Sequence, residues 1–302
     1  MRLGTRGSRL ALAQAHKVRH LLEGRGADVD IVVIKTSGDI HTTEPLHAIK
    51  VGAFVREIDE RLLNGEIDAA VHSLKDVPTR RPPGLATAAV LKRESACDVA
   101  ITRHGEGLAR LPEGAAVGTS STRRTALLRR HYPRLEAKNI RGNVDTRLRK
   151  LGEGEYDAIL LAEAGLIRLG IEAPAERLDP YEFVPSANQG VIAVVAKPGT
   201  EAFDAIKGLN DADTWLETRA ERAIAAAMDG GCVVPMGVYA RRVGDELDVA
   251  CEVLSLDGRR RARVRDKIPV EGHEAGALML AEKLAAGGGR ELVDDAKREL
   301  LR

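Results

Sequence analysis

The sequence predicts an α/β protein. Two related lobes, each a sheet flanked by helices, precede a small α+β domain with an antiparallel sheet. Three observations carry this. Arg2-Leu3 leads into Gly4-Thr5-Arg6-Gly7-Ser8 and a helical pattern from Leu10 to Glu23, while Ala115–Val117 leads into Gly118-Thr119-Ser120-Ser121, then Arg123-Arg124 and a helical pattern to about His131. Each reads as strand, Gly-Thr loop, and helix with a serine near its N-cap. A second echo follows each: Gly65-Glu66-Ile67-Asp68-Ala69 opens an apolar strand to Leu74, and Gly154-Glu155-Tyr156-Asp157-Ala158 opens another to Leu161. The chain then changes character, with short β patterns punctuated by Gly244-Asp245 and Asp257-Gly258.

Taken in order, residues 1–92 with 191–208 make the first lobe, 96–186 the second, and 212–302 the C-terminal domain. Leu91 to Asp98 reads as the crossover out, and Val184 to Gly190, with its proline and glycine, as the return. Two crossovers between lobes make a hinged cleft, where ligands commonly bind. Thr214 to Met228 reads as an amphipathic helix with Thr214 and Glu217 as a capping box. It ends at Gly230-Gly231, and Cys232 follows. Helical patterns from about Glu274 to Ala286 and Glu291 to Leu301 close the chain.

With 302 residues the chain is long enough for two or three domains with cores of their own. A net charge of +1 gives no bulk attraction to nucleic acid or membrane. Arginine clusters must therefore be read as sites. The N-terminus runs straight into a strand and helix, with no signal peptide or bilayer-length apolar run expected. Cys97, Cys232 and Cys251 are widely spaced and odd in number, as expected in a reducing cytoplasm without disulfides. No CxxC or HExxH predicts a metal, and the absence of a Walker loop or GxGxxG argues against ATP or NAD.

The chemistry gathers at strand-to-helix loops. Helix N-termini attract anions through unpaired N–H groups. Thr5, Ser8, Thr119, Ser120 and Ser121 add hydroxyls there, and Arg6, Arg123 and Arg124 add forked guanidinium groups suited to carboxylate or phosphate. Arg141-Gly142-Asn143-Val144-Asp145-Thr146-Arg147 repeats the combination, and Arg168 follows the second lobe's strand. Any one of these arginines is best read as a solvated surface residue. Together they indicate a small polyanionic ligand, phosphate or carboxylate. In Val71-His72-Ser73-Leu74-Lys75-Asp76-Val77-Pro78, a strand delivers a Lys-Asp pair to the carboxyl end of a sheet, where ligand crevices form. Lys75 suits an anion. Asp76 either balances an arginine or stabilises positive charge developing during a reaction. A lone cysteine such as Cys232 is ordinarily a small buried hydrophobe. Placed after a glycine turn, it is also a candidate nucleophile.

Read together, GTRGSRLALAQA, VHSLKDVPT, GTSSTRR, RGNVDTRL, YDAILLAEAGLIRLG and DGGCVVPMG resemble the porphobilinogen deaminase (hydroxymethylbilane synthase) family, in family order and across nearly the whole chain. The resemblance implies two lobes like the halves of a type II periplasmic binding protein, plus a small α+β domain. It implies a transferase of tetrapyrrole biosynthesis that condenses four porphobilinogen molecules, each losing ammonia, and hydrolytically releases hydroxymethylbilane. It implies a covalent dipyrromethane cofactor on a thioether to Cys232, and Asp76 as the catalytic carboxylate. Lys75, Asp76, Thr119, Ser121, Arg123, Arg124, Arg147 and Gly165 match cofactor-binding positions. Arg6, Ser8, Lys50, Phe54, Arg141, Arg147, Arg168 and Gln189 match positions that bind substrate or the growing chain. A cytoplasmic monomer without metal, nucleic acid or membrane is implied too.

Three departures stand out. Ile49-Lys50-Val51-Gly52-Ala53-Phe54 replaces the family's Gly-Gly-Lys-Gly loop, which puts a lid role in doubt; Asn188 stands where glycine is common, and Cys97 where arginine is frequent. Two other classes compete. A cytoplasmic two-lobed anion-binding protein would not need the domain that bears Cys232. A cysteine hydrolase would need a histidine beside Cys232, with His72 the nearest candidate by motif.

Overall fold

The computed structural model describes residues 1–36, 55–79, 81–231 and 233–300. In chain order the first strands are β1 (Arg2–Arg6), β2 (Asp30–Ile34), β3 (Ala69–Ser73), β4 (Ala86–Val90) and β5 (Asp98–Thr102). Then come β6 (Ala116–Gly118), β7 (Glu136–Lys138), β8 (Ala158–Ala162), β9 (Ala175–Arg177) and β10 (Ile192–Ala196), and last β11 (Met236–Val243), β12 (Glu246–Leu254) and β13 (Arg261–Pro269). The helices are α1 (Arg9–Glu23), α2 (Arg56–Leu63), α3 (Thr122–His131), α4 (Val144–Gly152) and α5 (Glu163–Leu169), followed by α6 (Glu201–Lys207), α7 (Ala212–Met228), α8 (His273–Leu284) and α9 (Arg290–Leu300).

Three sheets result. The first has the order β2-β1-β3-β10-β4, the second β7-β6-β8-β5-β9, and the third β11-β12-β13. In the first, β2, β1 and β3 are parallel, and β10 runs antiparallel between β3 and β4. In the second, β7, β6 and β8 are parallel, with β5 antiparallel between β8 and β9. The lobes thus share one plan, and the strand arriving from the other lobe is the antiparallel one. This puts β1, β3, β6 and β8 in equivalent places, with their carboxyl ends leading into the candidate loops. The third sheet is antiparallel throughout.

Helices cover the sheets through their apolar faces. Ala15, Val18 and Leu22 of α1 pack on Leu3, Val71 and Val194. Ala126, Leu127 and Leu128 of α3 pack on Val117, Ala158 and Leu160. Ile224 and Met228 of α7, with Leu280 and Leu284 of α8, cover Val238, Val249 and Val253. Each large side chain so buried contributes about 1.5–3 kcal/mol. The serines cap as expected: the Ser8 hydroxyl accepts from Ala11 N–H at 3.2 Å, and that of Ser121 from Arg124 N–H at 3.4 Å.

The capping box expected at Thr214 and Glu217 is corrected. Asp211 is the N-cap of α7 and accepts from Thr214 N–H at 2.9 Å. The helix therefore begins earlier and leaves Thr214 and Glu217 buried for other tasks. Thr214 Oγ1 accepts from Arg93 N–H at 2.9 Å, and Glu217 from Arg242 N–H at 3.0 Å.

The two crossovers lie side by side, joined by Glu94 N–H to Gly190 O at 3.3 Å. Gly190 has φ +85°, and a Cβ there would sit 2.0 Å from Ser95 O, so this contact needs glycine. Asn188 has φ +65°. That left-handed geometry is one asparagine tolerates better than most residues, which accounts for the asparagine–glycine departure. The C-terminal domain braces both crossovers. Glu221 of α7 is buried, accepts N–H from Asn188 and Ala240, and pairs with Arg93 at 2.9 Å.

Candidate active-site cleft

The site's organiser is a residue that the motif reading passed over. Asp98 opens β5 and is fully buried. Arg123 Nη2 lies 2.8 Å from its Oδ2, and Arg124 donates to its Oδ1 from Nε at 3.0 Å and Nη2 at 2.7 Å. Gln189 Nε2 adds a bond to the same Oδ1 at 2.9 Å and another to Ala96 O at 2.8 Å. Each guanidinium also reaches a carbonyl, Arg123 that of Val184 at 2.8 Å and Arg124 that of Leu160 at 3.1 Å. Burial alone would raise the Asp98 pKa; the two arginines and the hydrogen bonds outweigh it and hold the carboxyl well below the usual range. Both arginines come from the first turn of α3, which the Ser121 cap orients. Behind the cap, Thr119 is buried, and its Oγ1 accepts from Ser121 N–H at 3.2 Å.

Lys75 and Asp76 close a 3₁₀ turn, Leu74–Asp76, at the carboxyl end of β3. Lys75 Nζ donates to Gln189 Oε1 at 3.4 Å. Burial, against the pull of Asp76 and with the push of Arg124, lowers its pKa to about 8. Asp76 is exposed, and its charge acts on both Lys75 and Arg168. The chain beyond it is held from the C-terminal domain, where Arg222 of α7 donates to Val77 O at 3.1 Å and Pro78 O at 2.6 Å.

Arg141 approaches from the loop before α4, and Arg147 from the first turn of α4 itself. Arg147 Nε donates to Gly142 O at 2.9 Å; burial, then Arg124 and Arg141, lower its pKa to about 10. Arg141 Nη2 is buried without a hydrogen-bond partner. Arg168 Nε pairs with Glu94 at 2.5 Å and its Nη2 donates to Gly190 O at 2.8 Å. It therefore ties α5 to both crossovers, and Lys17 of α1 joins at 2.6 Å from Glu94. Arg9 to Asp145, at 2.6 Å, is a second link between lobes.

The structure thus brings Lys75, Arg123, Arg124 and Gln189 together around Asp98, with Arg147 close enough to Arg124 and Arg141 to feel the charge of both. Arg6 ends β1, and its charge acts on His72. The Ser8 hydroxyl is occupied as a cap. Gly165 is buried in α5, yet an added Cβ would meet only Val144 Cγ2 at 3.9 Å, so protein packing does not demand glycine. Lys50, Phe54 and Cys232 lie outside the described residues. Asp98, Glu94 and Arg222 were missed by sequence reasoning. The signal for Asp98 was an acid heading the apolar strand Asp98-Val99-Ala100-Ile101, since such an acid needs a buried cation.

Among the described residues, Lys75, Arg123 and Arg124 share one buried carboxylate here, Asp98, with Arg147 and Arg141 adjoining them, and Asp76 is an exposed acid. An unpartnered buried guanidinium nitrogen adds to the imbalance. Such a surplus fits a group rich in carboxylates. His72 does not fit a hydrolase base. It is buried, its Nε2 lacks a partner, and burial followed by Arg81 and Arg6 lowers its pKa to about 3. No group of three or more metal-ligating side chains occurs among the described residues.

A family model described as "Porphobilinogen deaminase, dipyromethane cofactor binding domain" matches residues 1–205, and a second, "Porphobilinogen deaminase, C-terminal domain", matches 215–286. The chain belongs to the porphobilinogen deaminase family. A probable porphobilinogen deaminase of Methanocella arvoryzae is 66% identical over 301 residues, covering 99% of each chain. One from Archaeoglobus fulgidus is 49% identical over 88% of this chain and 91% of its own. The porphobilinogen deaminase of Syntrophobacter fumaroxidans is 41% identical over 100% of this chain and 96% of its own. A periplasmic substrate-binding protein from Coxiella burnetii superposes at a TM-score of 0.42 and 13% identity, over 74% of this chain and 96% of that one. That likeness is too slight to bear on function.

Membership in a dipyrromethane-binding family agrees with the cationic surplus, and Lys75 supplies a test. Its ammonium attracts a carboxylate only while protonated, and a folded pKa near 8 puts loss of that attraction within reach of ordinary buffers. Affinity for porphobilinogen is expected to fall as pH rises through about 8, and Lys75→Met should flatten that limb. KM measured from pH 6.5 to 9.5 in both proteins checks it. The stability sign is the opposite. The unfolded lysine binds more protons than the folded one between about pH 8 and its ordinary value, so its contribution to stability rises with pH across that window.

Proposed function

We propose that this chain is a hydroxymethylbilane synthase. It condenses four porphobilinogen molecules head to tail with loss of ammonia, then releases the linear tetrapyrrole by hydrolysis. The observation that carries the reading is the gathering of Lys75, Arg123 and Arg124 around the buried carboxylate of Asp98, with Arg147 beside Arg124 and Arg141, in a chain matched by both family models.

When bound, the dipyrromethane supplies a pyrrole α-carbon as the nucleophile and remains on the protein after product release. The protein's own residues bind, orient and stabilise charge. Cys232 is assigned the thioether. Lys75, Thr119, Ser121, Arg123, Arg124 and Arg147 would hold acetate and propionate groups by charge-assisted hydrogen bonds. Gly165 would let a pyrrole approach α5 closely. Arg6, Ser8, Lys50, Phe54, Arg141 and Arg147 would serve incoming substrate or the lengthening chain. Gln189 and Arg168 are assigned positioning roles, because their donors already serve Asp98, Ala96, Glu94 and Gly190. At each addition the aminomethyl C–N bond breaks, ammonia leaves, a C–C bond forms and the α-proton departs. Asp76 would accept hydrogen bonds from pyrrole N–H groups as positive charge builds on them.

We also propose domain limits of 1–92 plus 191–208, 96–186 and 212–302. Sheet membership supports them, since β10 completes the first lobe's sheet after the return crossover. A monomer working in the cytoplasm, without nucleic acid or membrane, completes the reading. No helix among the described residues is long and apolar enough to cross a membrane.

Intact-protein mass spectrometry with peptide mapping tests the assignment. The expected result is added mass equal to two porphobilinogen units less two ammonias on the Cys232 peptide. Cys232→Ser should lack that mass and all activity, even after incubation with porphobilinogen. A wild-type chain that stays unmodified after that incubation would refute the reading.

A further inference from the structure

A second cationic hollow lies away from the cleft, where the second lobe meets the C-terminal domain. It has a volume of about 460 Å³ and is lined by Arg129, Arg130 and His131 of α3 and by Arg259 and Arg261 of the C-terminal domain. Its acids are Glu182 and Asp257. The opposite end of the same helix carries Arg123 and Arg124, so the hollow and the cleft share α3.

The hollow is preformed. The turn at residues 255–260 presses on α3 at Gly258, where a Cβ would sit 2.4 Å from Ala126 O. Arg129 Nη1 donates to Leu256 O at 2.7 Å, and Arg130 Nη1 to Gly258 O at 3.4 Å. These bonds fix the seam without neutralising it, because carbonyls carry no net charge. The two acids offset the five basic side chains only in part. Asp257 accepts from Ser255 Oγ at 2.5 Å and Arg259 N–H at 3.0 Å, folding its charge into its own turn. Glu182 is exposed and pairs with Arg263 at 3.5 Å. The Arg259 side chain is 88% exposed, and among the described residues its one ion-pair partner is Asp257 at 3.8 Å. Arg261 has Glu252 no nearer than 3.8 Å and feels the like charges of Arg130 and Arg263 against the pull of Glu252 and Glu182. His131 Nε2 is buried with no hydrogen-bond partner. Like charges held together by the backbone, with an unused ring nitrogen among them, leave an anion-shaped deficit.

We propose that this seam binds a small multivalent anion of the phosphate or polycarboxylate class, bridging α3 of the second lobe and the 255–260 turn of the C-terminal domain. One forked guanidinium group from the turn (Arg259), one from the start of β13 (Arg261) and two from α3 suit an anion with at least two charged centres. The occupant would couple the C-terminal domain to the helix that holds Arg123 and Arg124.

Isothermal titration of the holoprotein with pyrophosphate, and separately with citrate, tests this. The cleft is cationic too, so variants separate the sites. Saturable binding is expected in wild type, undiminished in the cleft variant Arg147→Ala, and weakened about tenfold or more by Arg259→Glu. That residue projects into solvent, so the change should leave the fold intact. Arg261→Gln is the second variant and should weaken binding in the same direction. Uptake of pyrophosphate alone assigns the phosphate class; uptake of both assigns multivalent anions generally. Absence of binding by either anion overturns the proposal, as does binding lost in Arg147→Ala but retained in Arg259→Glu. None of these readouts depends on deaminase activity, so the seam stands or falls apart from the proposed function.

Discussion

Asp98→Ala is expected to cost about 3–5 kcal/mol of stability, because it leaves two buried guanidinium groups without their counter-charge. Arg123 and Arg124 are buried, and Asp98 is fully buried between them. Truncation also deprives Gln189 Nε2 of one acceptor and loosens its hold on Lys75. The carbonyls of Val184 and Leu160 remain, but they satisfy hydrogen bonds and not charge. Thermal and urea unfolding of both proteins measure the loss; a midpoint unchanged within error would show that the triad is not structural. Asp98→Asn keeps the shape and one acceptor, so a smaller loss is expected. The pH dependence has a defined sign. With its folded pKa depressed, Asp98 contributes fully above its unfolded value of about 3.9, and the contribution is lost as pH falls below that toward the folded value. Acid unfolding should therefore begin at higher pH in Asp98→Asn than in wild type at matched temperature.

How legible the chain was follows from what kind of signal each part sends. The strand, Gly-Thr loop and capped helix repeated at Thr5–Ser8 and Thr119–Ser121 is local chemistry, and the caps form where the serines predict. The antiparallel insertion of β10 into the first sheet is not local. It depends on a return crossover far along the chain, and only the proline and glycine between Val184 and Gly190 hinted at it. The cationic loops were readable because arginine beside Gly, Ser and Thr has few uses. Their counter-ion was not, because Asp98 lies in a crossover whose residues look like an ordinary charged linker. The error at Thr214 and Glu217 has the same root. A capping-box spacing is a short pattern, Asp211 lay just upstream, and the tertiary partners Arg93 and Arg242 claimed the two side chains. Arg168 and Gln189 were placed near the site by resemblance. The geometry shows both holding crossovers in place, a distinction that needs coordinates.

Asp76→Ala is expected to lower kcat by about 10²–10³, or roughly 2.7–4 kcal/mol, with little change in KM and with the cofactor mass still present. The surrounding backbone is held independently of the carboxylate, which makes the change clean. Val77 is buried, its N–H donates to Leu74 O at 3.1 Å, and Arg222 grips the carbonyls of Val77 and Pro78 from α7. Losing the exposed carboxylate should therefore remove charge and leave the turn in place. One side effect and one further variant distinguish this from a general disturbance. Asp76 raises the pKa of Lys75, so its removal should shift the alkaline limb of KM to lower pH. Asp76→Asn keeps an oxygen that accepts a hydrogen bond but carries no charge. If charge is what counts, the asparagine variant should be nearly as slow as the alanine one; recovery of most of the wild-type kcat would mean that hydrogen bonding alone suffices. Initial rates with porphobilinogen, read beside intact mass for all three proteins, separate a charge-stabilising role from a role in holding the cofactor. An alanine variant as fast as wild type would remove Asp76 from the mechanism, and the positive charge developing on the pyrrole nitrogens would then need another group to stabilise it.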